Sequence, residues 1–485
     1  MSERISTLSP RRKAIILMSC CLSLVIVSMD ATIVNVAIPS IRTELHTSAA
    51  QMQWVIDIYT LVLASLLILS GATGDRLGRR RVFQIGLVVF AIGSLLCSLA
   101  PDVHMLIAAR FLQGIGGSML NPVALSIVSQ VFVGRAERAR AFGIWGAAMG
   151  VAMAVGPMVG GALIELGDWR AVFWINLPIC VVAILLTALF VPESRSATMR
   201  DLDPVGQALA VTFLFAVVFV LIEGPEMGWT AIRSVVIGVI AVLALAAFLR
   251  YEARRDDPFI DLRFFRSIPF ASATVIAVCV YAAYGAFLFM MSLYLQGQRH
   301  YSALHTGLMY LPVSVAMLIF SPLSGRLVGR FGSRPSLFIA GISLTVATLM
   351  LAGLTVTAPS WAVVGIFALF GAGFAMANSP ITTAAVSGMP TDRAGAASAV
   401  ASTSRQVGVS IGVALCGSLA GFAMTANSAD YTADARPLWL VCTALGVVTT
   451  ALAVVSTSRR AVRSAERVGP LMVASATPVT NVASQ

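Results

Sequence analysis

Three charged side chains lie inside long apolar stretches of this 485-residue chain: Asp30, Asp57 and Arg110. A charge at the centre of a bilayer costs roughly 2.5–3.5 kcal/mol on insertion scales, so such groups persist where they pair, face water or perform a function. A carboxyl group in a low-dielectric site favours its neutral form, whereas a neighbouring arginine favours the carboxylate. Competition between these two effects is suited to loading and releasing a proton.

The same three charges also permit a purely structural interpretation. A static Asp–Arg pair would hold neighbouring helices together without moving a proton. At a helical rise of 1.5 Å per residue, each charge lies roughly 10 Å below the same membrane surface. We expect them at one depth, where they can form a single buried polar cluster, and both interpretations stay open.

The elements that carry these charges must be membrane helices. Hydrophobic residues make up 58% of the chain and charged residues only 11%, whereas a soluble domain has about 25% charged residues. The apolar residues fall in runs of about 20, the length of a helix that crosses a bilayer. This excludes a soluble fold and predicts an all-α integral membrane protein.

No enzyme, metal site or cofactor is predicted. The seven cysteines lie within apolar runs and lack the paired spacing of zinc ligands. The chain has no Walker loop and no H-E-x-x-H pattern. Energy is therefore expected from an ion gradient, with no catalytic residues.

Hydropathy predicts fourteen spans. They lie at 14–38, 51–72, 82–100, 104–128, 141–164, 171–191, 206–223, 232–249, 270–294, 306–328, 336–356, 361–386, 404–425 and 437–457. With a cytoplasmic N-terminus, most basic residues fall in cytoplasmic segments, which the positive-inside rule requires. We therefore predict a multi-pass protein of the cell membrane with both termini cytoplasmic. The net charge of +11 reflects this asymmetry and does not indicate nucleic acid binding.

Glycine patterns recur in the two halves of the chain. Gly71 and Gly78 between spans 2 and 3 are followed in the second half by Gly325 and Gly332 between spans 10 and 11. Spans 4 and 12 repeat a second pattern at nearly the same offset: Gly114, Gly116 and Asn121 match Gly371, Gly373 and Asn378. Repeated halves are typical of transporters, whose substrate site lies between them near mid-membrane.

This repeat divides the chain into five parts. We predict a cytoplasmic tail at 1–13, a six-helix bundle at 14–191, a linker region with two extra membrane helices at 192–269, a second six-helix bundle at 270–457, and a disordered cytoplasmic tail at 458–485.

The connection between spans 2 and 3 reads G-x-x-x-D-R-x-G-R-R. Its residues are Gly71, Asp75, Arg76, Gly78, Arg79 and Arg80. This pattern resembles the signature of the major facilitator superfamily, in which the loop stabilises cytoplasmic closure of the two halves. The resemblance implies that these are gate residues. In the second copy Gly329 stands opposite Asp75, so asymmetric gating contacts are expected.

Three further patterns resemble the fourteen-helix drug/proton antiporter family. Two are the segments around Asp30 and Arg110. The third, in span 5, looks like the antiporter motif of that superfamily: Gly146, Gly150, Gly156, Pro157, Gly160 and Gly161. Glycines also permit close helix approach and proline bends a helix, so packing alone would account for this set. The resemblance implies a proton-coupled antiporter that exports drugs, antibiotics or other small amphipathic molecules.

Span 9 contains a candidate substrate surface. Its members recur every three or four residues and therefore share one helix face: Tyr284, Phe287, Met291, Tyr294 and Gln298. With Asn35 of span 1, this face suits an apolar or cationic substrate, although packing against another helix stays an equal alternative. In span 13, Arg405 and Gln406 stand where some quaternary-ammonium exporters carry acids, which favours a branch that resembles antibiotic-resistance exporters.

Two other functions stay open at this point. One is a dedicated exporter of a metabolite, siderophore or amino acid with the same fold. The other, of a different class, is a membrane sensor that binds a ligand without moving it. In each case the expected partners are a small molecule and the lipid bilayer, with protons for transport, and a monomer is compatible with the sequence.

Overall fold

The computed structural model describes residues 9–195, 203–255, 258, 260–387, 389, 394–421 and 430–474. Within these ranges the chain is helical and contains no strand. Fourteen long helices correspond one to one with the predicted spans. They are α1 (Pro10–Leu45), α2 (Ala49–Leu77), α3 (Arg79–Ser98), α4 (Val103–Val131), α5 (Arg135–Leu166), α6 (Ala171–Phe190), α7 (Pro204–Met227), α8 (Ile232–Glu252), α9 (Ile268–Gln298), α10 (Ala303–Phe331), α11 (Ser333–Ala352), α12 (Ser360–Val386), α13 (Ala394–Ala420) and α14 (Tyr431–Val455).

Thirteen of these helices are long and apolar enough to cross a membrane. The fourteenth, α13, is 27 residues long and packs against α9 and α2. Arg405 and Gln406 near its middle lower its hydropathy. Its length and its place among the other helices make it the remaining span, so the predicted all-α fold with fourteen helices is confirmed.

The internal repeat is visible in the helix packing. Gly114 of α4 lies against the backbone of α2, and its counterpart Gly371 of α12 lies against α10. Gly116 likewise lies against α3, and Gly373 lies against α11. A side chain at any of these positions would press on the neighbouring helix, which explains the recurrence of glycine. Helices α2–α4 and α10–α12 are therefore equivalent units.

The additional helix α7 covers a seam between the two halves, where α2 meets α13. On the α2 side, Trp54 Nε1 donates a hydrogen bond to Glu223 of α7 at 2.7 Å. On the α13 side, the Ser418 hydroxyl donates to the Leu221 carbonyl at 2.6 Å. Helix α8 packs on α7.

The chain end differs from our expectation of a disordered tail from 458. Arg459–Ala474 form a further helix, α15. Its buried side chains, Ala461, Ala465 and Val468, recur at helical spacing and face the short 3₁₀ turn Leu262–Arg266 and the start of α9. The polar composition conceals this amphipathic pattern. Residues 1–8 and 475–485 of the predicted tails lie outside the described ones.

Fourteen crossings bring the beginning of α1 and the end of α14 to the same end of the bundle. We call this end the terminal face; it includes α15 and the connection between α2 and α3. The other end is the opposite face.

Candidate functional site

A cavity of about 1430 Å³ lies between the two halves. Asn35 of α1 and Val413 of α13 line its deep end, and Asp75 and Arg79 line it at the terminal face. The cavity therefore runs from the interior of the bundle to the terminal face.

Contacts between the halves close the opposite face. Gln296 Nε2 of α9 donates to the Val36 carbonyl of α1 at 2.9 Å. The Ser302 hydroxyl, which immediately precedes α10, donates to Glu165 of α5 at 3.0 Å. The structure thus represents a state that is open at one end only.

The antiporter motif of α5 divides into two parts with different surroundings. On the side of the opposite face, Gly156 and Gly160 are crowded by Thr32 and Ile33 of α1. Gly161 is crowded by Ala303 at the start of α10, in the other half. By contrast, a Cβ at Gly146 or Gly150 would have no heavy atom within 4 Å. One part of the motif therefore permits the close packing that seals the opposite face, and the other part lies in open space.

Pro157 lies at the crowded end of the motif. Its carbonyl faces Gly307 of α10, where a Cβ would lie 2.5 Å from the oxygen. Close approach at this point needs glycine on α10 as well, a requirement that the sequence pattern of α5 alone did not reveal.

Asp30 and Arg110 form a fully buried ion pair. Arg110 Nη1 donates to Asp30 Oδ2, and Arg110 Nε donates to the Val55 carbonyl of α2 at 3.0 Å. Gln113 Nε2 and Asn176 Nδ2 both donate to Asp30 Oδ1, at 2.9 and 3.0 Å. Neither charged residue lines the cavity. This geometry links α1, α2, α4 and α6 and favours the structural interpretation for the pair.

Asp57 does not contact this pair. The prediction of a single cluster of three charges is therefore wrong for Asp57. The side chain is fully buried and faces Thr60 and, on α13, Ser410. Neither hydroxyl reaches hydrogen-bond geometry: Thr60 donates to the Asp57 backbone carbonyl at 3.1 Å, and both Asp57 carboxyl oxygens and the Ser410 hydroxyl are unpaired within the described residues. The separation follows from helix geometry. Asp57 lies two residues after Val55, whose backbone contacts Arg110, and a step of two residues turns its side chain by about 200° to the other side of α2.

The predicted gate residues form contacts within the first half. Arg79 binds Asp75 at 2.8 Å and Gln130 of α4 at 3.3 Å. Gly71 lines the cavity one turn before Asp75, and Arg76 is half-buried on the same turn.

Glu193, in the segment after α6, holds the α2–α3 connection. It accepts a hydrogen bond from the Arg80 backbone N–H at 3.2 Å. Gly78 has a φ of +116°, a conformation that favours glycine, and a Cβ there would lie 2.6 Å from the Glu193 carboxylate. The signature loop is therefore docked on its own half in this open state.

The predicted substrate face of α9 is mostly a packing face. Only Tyr284 of its five members lines the cavity. The Phe287 ring stacks on a phenylalanine of α12 with centroids 4.1 Å apart, and Met291 is fully buried. Tyr294 and Gln298 belong to a π-helical turn at the end of α9, where the Tyr294 hydroxyl donates to a backbone carbonyl at 2.8 Å. Because α9 is apolar on every side, helical spacing did not show which face meets the cavity.

The remaining predicted side chains do line the cavity. Asn35 lines it from α1, although its side-chain carbonyl oxygen is buried and has no partner among the described residues, and Arg405 and Gln406 line it from α13. Tyr281 of α9 lies beside them and donates to Asn378 Oδ1 at 2.5 Å. Tyr281 was missed because it lies outside the predicted α9 stripe.

Other site residues missed by sequence reasoning are uncharged or lie outside the spans. Gln113 and Asn176 complete the Asp30 shell, and Ser94 accepts from both, at 2.7 and 3.2 Å. Glu193 anchors the gate loop. A search for isolated polar residues in apolar runs would have identified Gln113 and Asn176, which lie within predicted spans.

The sequence matches the Major Facilitator Superfamily over residues 20–413. It is 36% identical over 409 residues to the multidrug resistance protein Stp of Mycobacterium tuberculosis (strain CDC 1551 / Oshkosh), a match that covers 84% of this chain and 76% of that protein. It is also 36% identical over 414 residues to the puromycin resistance protein pur8 of Streptomyces alboniger, covering 84% of this chain and 81% of that protein.

Among solved structures, the fold is similar to that of a bacterial homolog of the human lysosomal transporter Spinster in an inward-facing and unoccupied conformation. The TM-score is 0.67 at 17% identity, with 95% of this chain and 99% of that chain covered. This likeness concerns the fold alone. Together with the match over most of the sequence, it confirms the resemblance carried by the loop between α2 and α3. This multi-pass membrane protein belongs to the Major Facilitator Superfamily.

Proposed function

We propose that this protein is a secondary active transporter that exports drugs, antibiotics or other small amphipathic molecules from the cell in exchange for protons. The observation that carries the proposal is the cavity between the halves, which runs to the terminal face while packed helices close the opposite face. A state open at one end only is one half of an alternating-access cycle. The names of the relatives, which concern multidrug and puromycin resistance, support the substrate class.

The direction of transport depends on which face is cytoplasmic. The excess of basic residues in the segments at the terminal face supports a cytoplasmic location for that face and for both chain termini. The cavity then collects its substrate from the cytoplasm, and closure of that side releases the substrate outside. The proton gradient supplies the energy, so the cycle needs no cofactor and no covalent chemistry.

The cavity wall supports an amphipathic substrate. Trp145, Met149 and Met153 line it from α5, and Tyr281 and Tyr284 line it from α9. Aromatic rings and thioethers provide dispersion contacts that adapt to different shapes. This composition supports the apolar part of the expected substrate class.

Asp57 is the acid that we assign to proton coupling. A carboxyl group without a counter-ion or hydrogen bond is far less costly to bury neutral than charged, and Asp57 lies in such a place at the contact of α2 and α13. These helices belong to different halves, so opening of the opposite face would separate them and admit a proton from outside. Thr60, whose side chain faces the acid, lines the cavity and offers a route for release towards the cytoplasm.

Asp30 and Arg110 have a supporting role in this proposal. Their pair keeps α1, α2 and α4 in register inside the first half. The rigid first half can then move relative to the second as one unit, which alternating access requires.

Transport into proteoliposomes under an imposed pH gradient tests the proposal. We expect uptake of a fluorescent drug that starts with the gradient and stops when an ionophore collapses it. A susceptibility panel of dyes and antibiotics on a pump-deleted host then separates broad export from export of a single metabolite. Binding without gradient-dependent flux would overturn the proposal in favour of a sensor.

A further inference from the structure

The charges that line the cavity differ in whether they have an opposite charge beside them. Asp75 is paired with Arg79 at 2.8 Å, and Asp261 with Arg263 at 3.0 Å. The cavity wall contains four charged residues: Asp75, Arg79, Asp261 and Arg405. Among the described residues, Arg405 of α13 has no carboxylate within ion-pair distance. It is therefore the cavity charge left without a counter-ion.

The guanidinium of Arg405 is held in place but not saturated. One Nη donates to the Thr382 hydroxyl of α12 at 2.5 Å. Its Nε is buried and therefore not accessible to a ligand, whereas its other Nη N–H groups have no hydrogen bond within the described part of the chain. An arginine presents five N–H donors in a planar fork that matches a carboxylate. The Nη donors other than the one bound to Thr382 are thus available to a molecule in the cavity.

An aromatic surface adjoins this cation. The Arg405 guanidinium carbon lies 5.9 Å from the centroid of the Tyr281 ring. The Tyr281 hydroxyl is already engaged by Asn378 at 2.5 Å, and Tyr284 stacks on Phe374 with centroids 4.1 Å apart. Both tyrosines are therefore fixed, and the wall combines ordered rings with one unpaired positive charge.

We propose that the cavity recognises planar aromatic molecules that carry an anionic group, with that group bound by Arg405 and the ring system placed against Tyr281 and Tyr284. The proposal rests on the export function above and names its substrate class. Closure of the cavity removes the water that solvates Arg405, and a buried unpaired charge is costly. An anionic substrate removes that cost, whereas a permanent cation adds repulsion and is disfavoured.

Two xanthene dyes of similar shape and opposite charge provide the test: anionic fluorescein and cationic rhodamine 123. Equilibrium binding to the purified protein in nanodiscs is measured without a gradient, and uptake is measured separately in proteoliposomes. We expect the wild type to prefer fluorescein. Loss of a charge-assisted hydrogen bond in Arg405→Gln should weaken fluorescein binding by about tenfold or more, while rhodamine 123 binding is unchanged or stronger.

Two further variants complete the design. Arg405→Lys keeps the charge but loses the planar fork, and it should retain part of the fluorescein affinity. Arg233→Gln removes an exposed arginine of α8 that does not line the cavity, and it should behave as the wild type.

The outcomes separate this proposal from the transport function. A wild type that prefers rhodamine 123 or binds no fluorescein would overturn it, as would an Arg405→Gln variant with an unchanged ratio of the two affinities. Loss of the fluorescein preference in this variant supports it even when neither dye is taken up under a pH gradient. Absent uptake alone counts against the transport function.

Discussion

Asp30 accepts hydrogen bonds from Arg110, Gln113 and Asn176. Asp57, on the next helix, accepts none with normal geometry from the described side chains. Both acids are fully buried, so the difference lies in what each contacts. The charge of Asp30 is compensated by a buried counter-ion, whereas no group with normal hydrogen-bond geometry stabilises a charge on Asp57. The two acids should therefore respond differently to the same substitution.

Asp57→Asn should abolish proton-driven uptake while substrate binding remains. The amide has nearly the shape of the neutral acid but carries no exchangeable proton, so the packing of α2 on α13 is retained. The measurement is uptake in proteoliposomes with and without a pH gradient, beside an equilibrium binding assay. Ser410→Ala, which changes the unpaired hydroxyl that faces the acid, is the matched control and should keep gradient-driven uptake. Normal coupled uptake by the Asp57→Asn variant would contradict the assignment.

Asp30→Asn should instead destabilise the fold, because it leaves Arg110 as a buried charge without its partner. Removal of one member of a buried pair costs about 3–5 kcal/mol, and we expect a clear fall in the thermal unfolding temperature in detergent. Replacement of both members, Asp30→Asn with Arg110→Gln, should cost less than the sum of the single changes, since no charge then remains unpaired. Additive effects would show that the pair contributes nothing to stability.

At the level of elements, α5 and α9 are each apolar over most of their length and yet have two distinct environments. Gly156, Gly160 and Gly161 of α5 lie where α1 and α10 approach closely, whereas Gly146 faces the cavity. The contact between α5 and α10, which belong to different halves, supplies the seal at the opposite face. Small residues at that contact are therefore needed in the present state, and those beside the cavity are not.

Gly161→Val should weaken the seal at the opposite face, because its side chain would meet the backbone of Ala303 at the start of α10, which belongs to the other half. The measurement is the distance between spin labels at His104 and Trp361, exposed positions in different halves at that face. We expect a longer or broader distance distribution than in the wild type. Gly146→Val adds the same side chain in open space and should leave this distribution unchanged. Equal effects of the two substitutions would contradict the division of the motif.

At the scale of the whole molecule, the two halves are related in packing but unequal in charge. The buried ion pair, Asp57 and the Asp75 loop belong to the first half, and Arg405 with Tyr281 and Tyr284 belongs to the second. We infer that the first half carries the proton and the second recognises the substrate. Helix α7 spans the seam near Asp57, so the inserted pair shields the contact that the proposed cycle must open.

The proposed direction of transport requires a cytoplasmic terminal face. A green fluorescent protein fused after Gln485 should fluoresce, and alkaline phosphatase fused in the α7–α8 connection at Trp229 should be active, since phosphatase folds only outside the cytoplasm. The basic residues near the terminal face give the physical reason. The reverse pattern of activities would place the terminal face outside the cell, and the inferred direction would then be uptake and not export.

The sequence by itself determined the membrane setting, the fourteen helices, the repeat and the family. These properties follow from local composition, because lipid requires every spanning backbone to satisfy its hydrogen bonds within a helix and to be apolar over about 20 residues. The glycines at equivalent positions, such as Gly114 and Gly371, can also be recognised in the sequence, because the same close helix contacts occur in both halves.

Only the tertiary structure decided which groups meet. Asp57 and Arg110 lie at similar depths but face different helices, and Phe287 packs inside the second half while Tyr281 lines the cavity. In a soluble helix an apolar stripe marks the buried face. A membrane helix is apolar towards lipid and towards its neighbours alike, so periodicity leaves its rotation undetermined. The packing of α2 against α13 and of α9 against α12 fixed that rotation, and with it the separation of Asp57 from the ion pair.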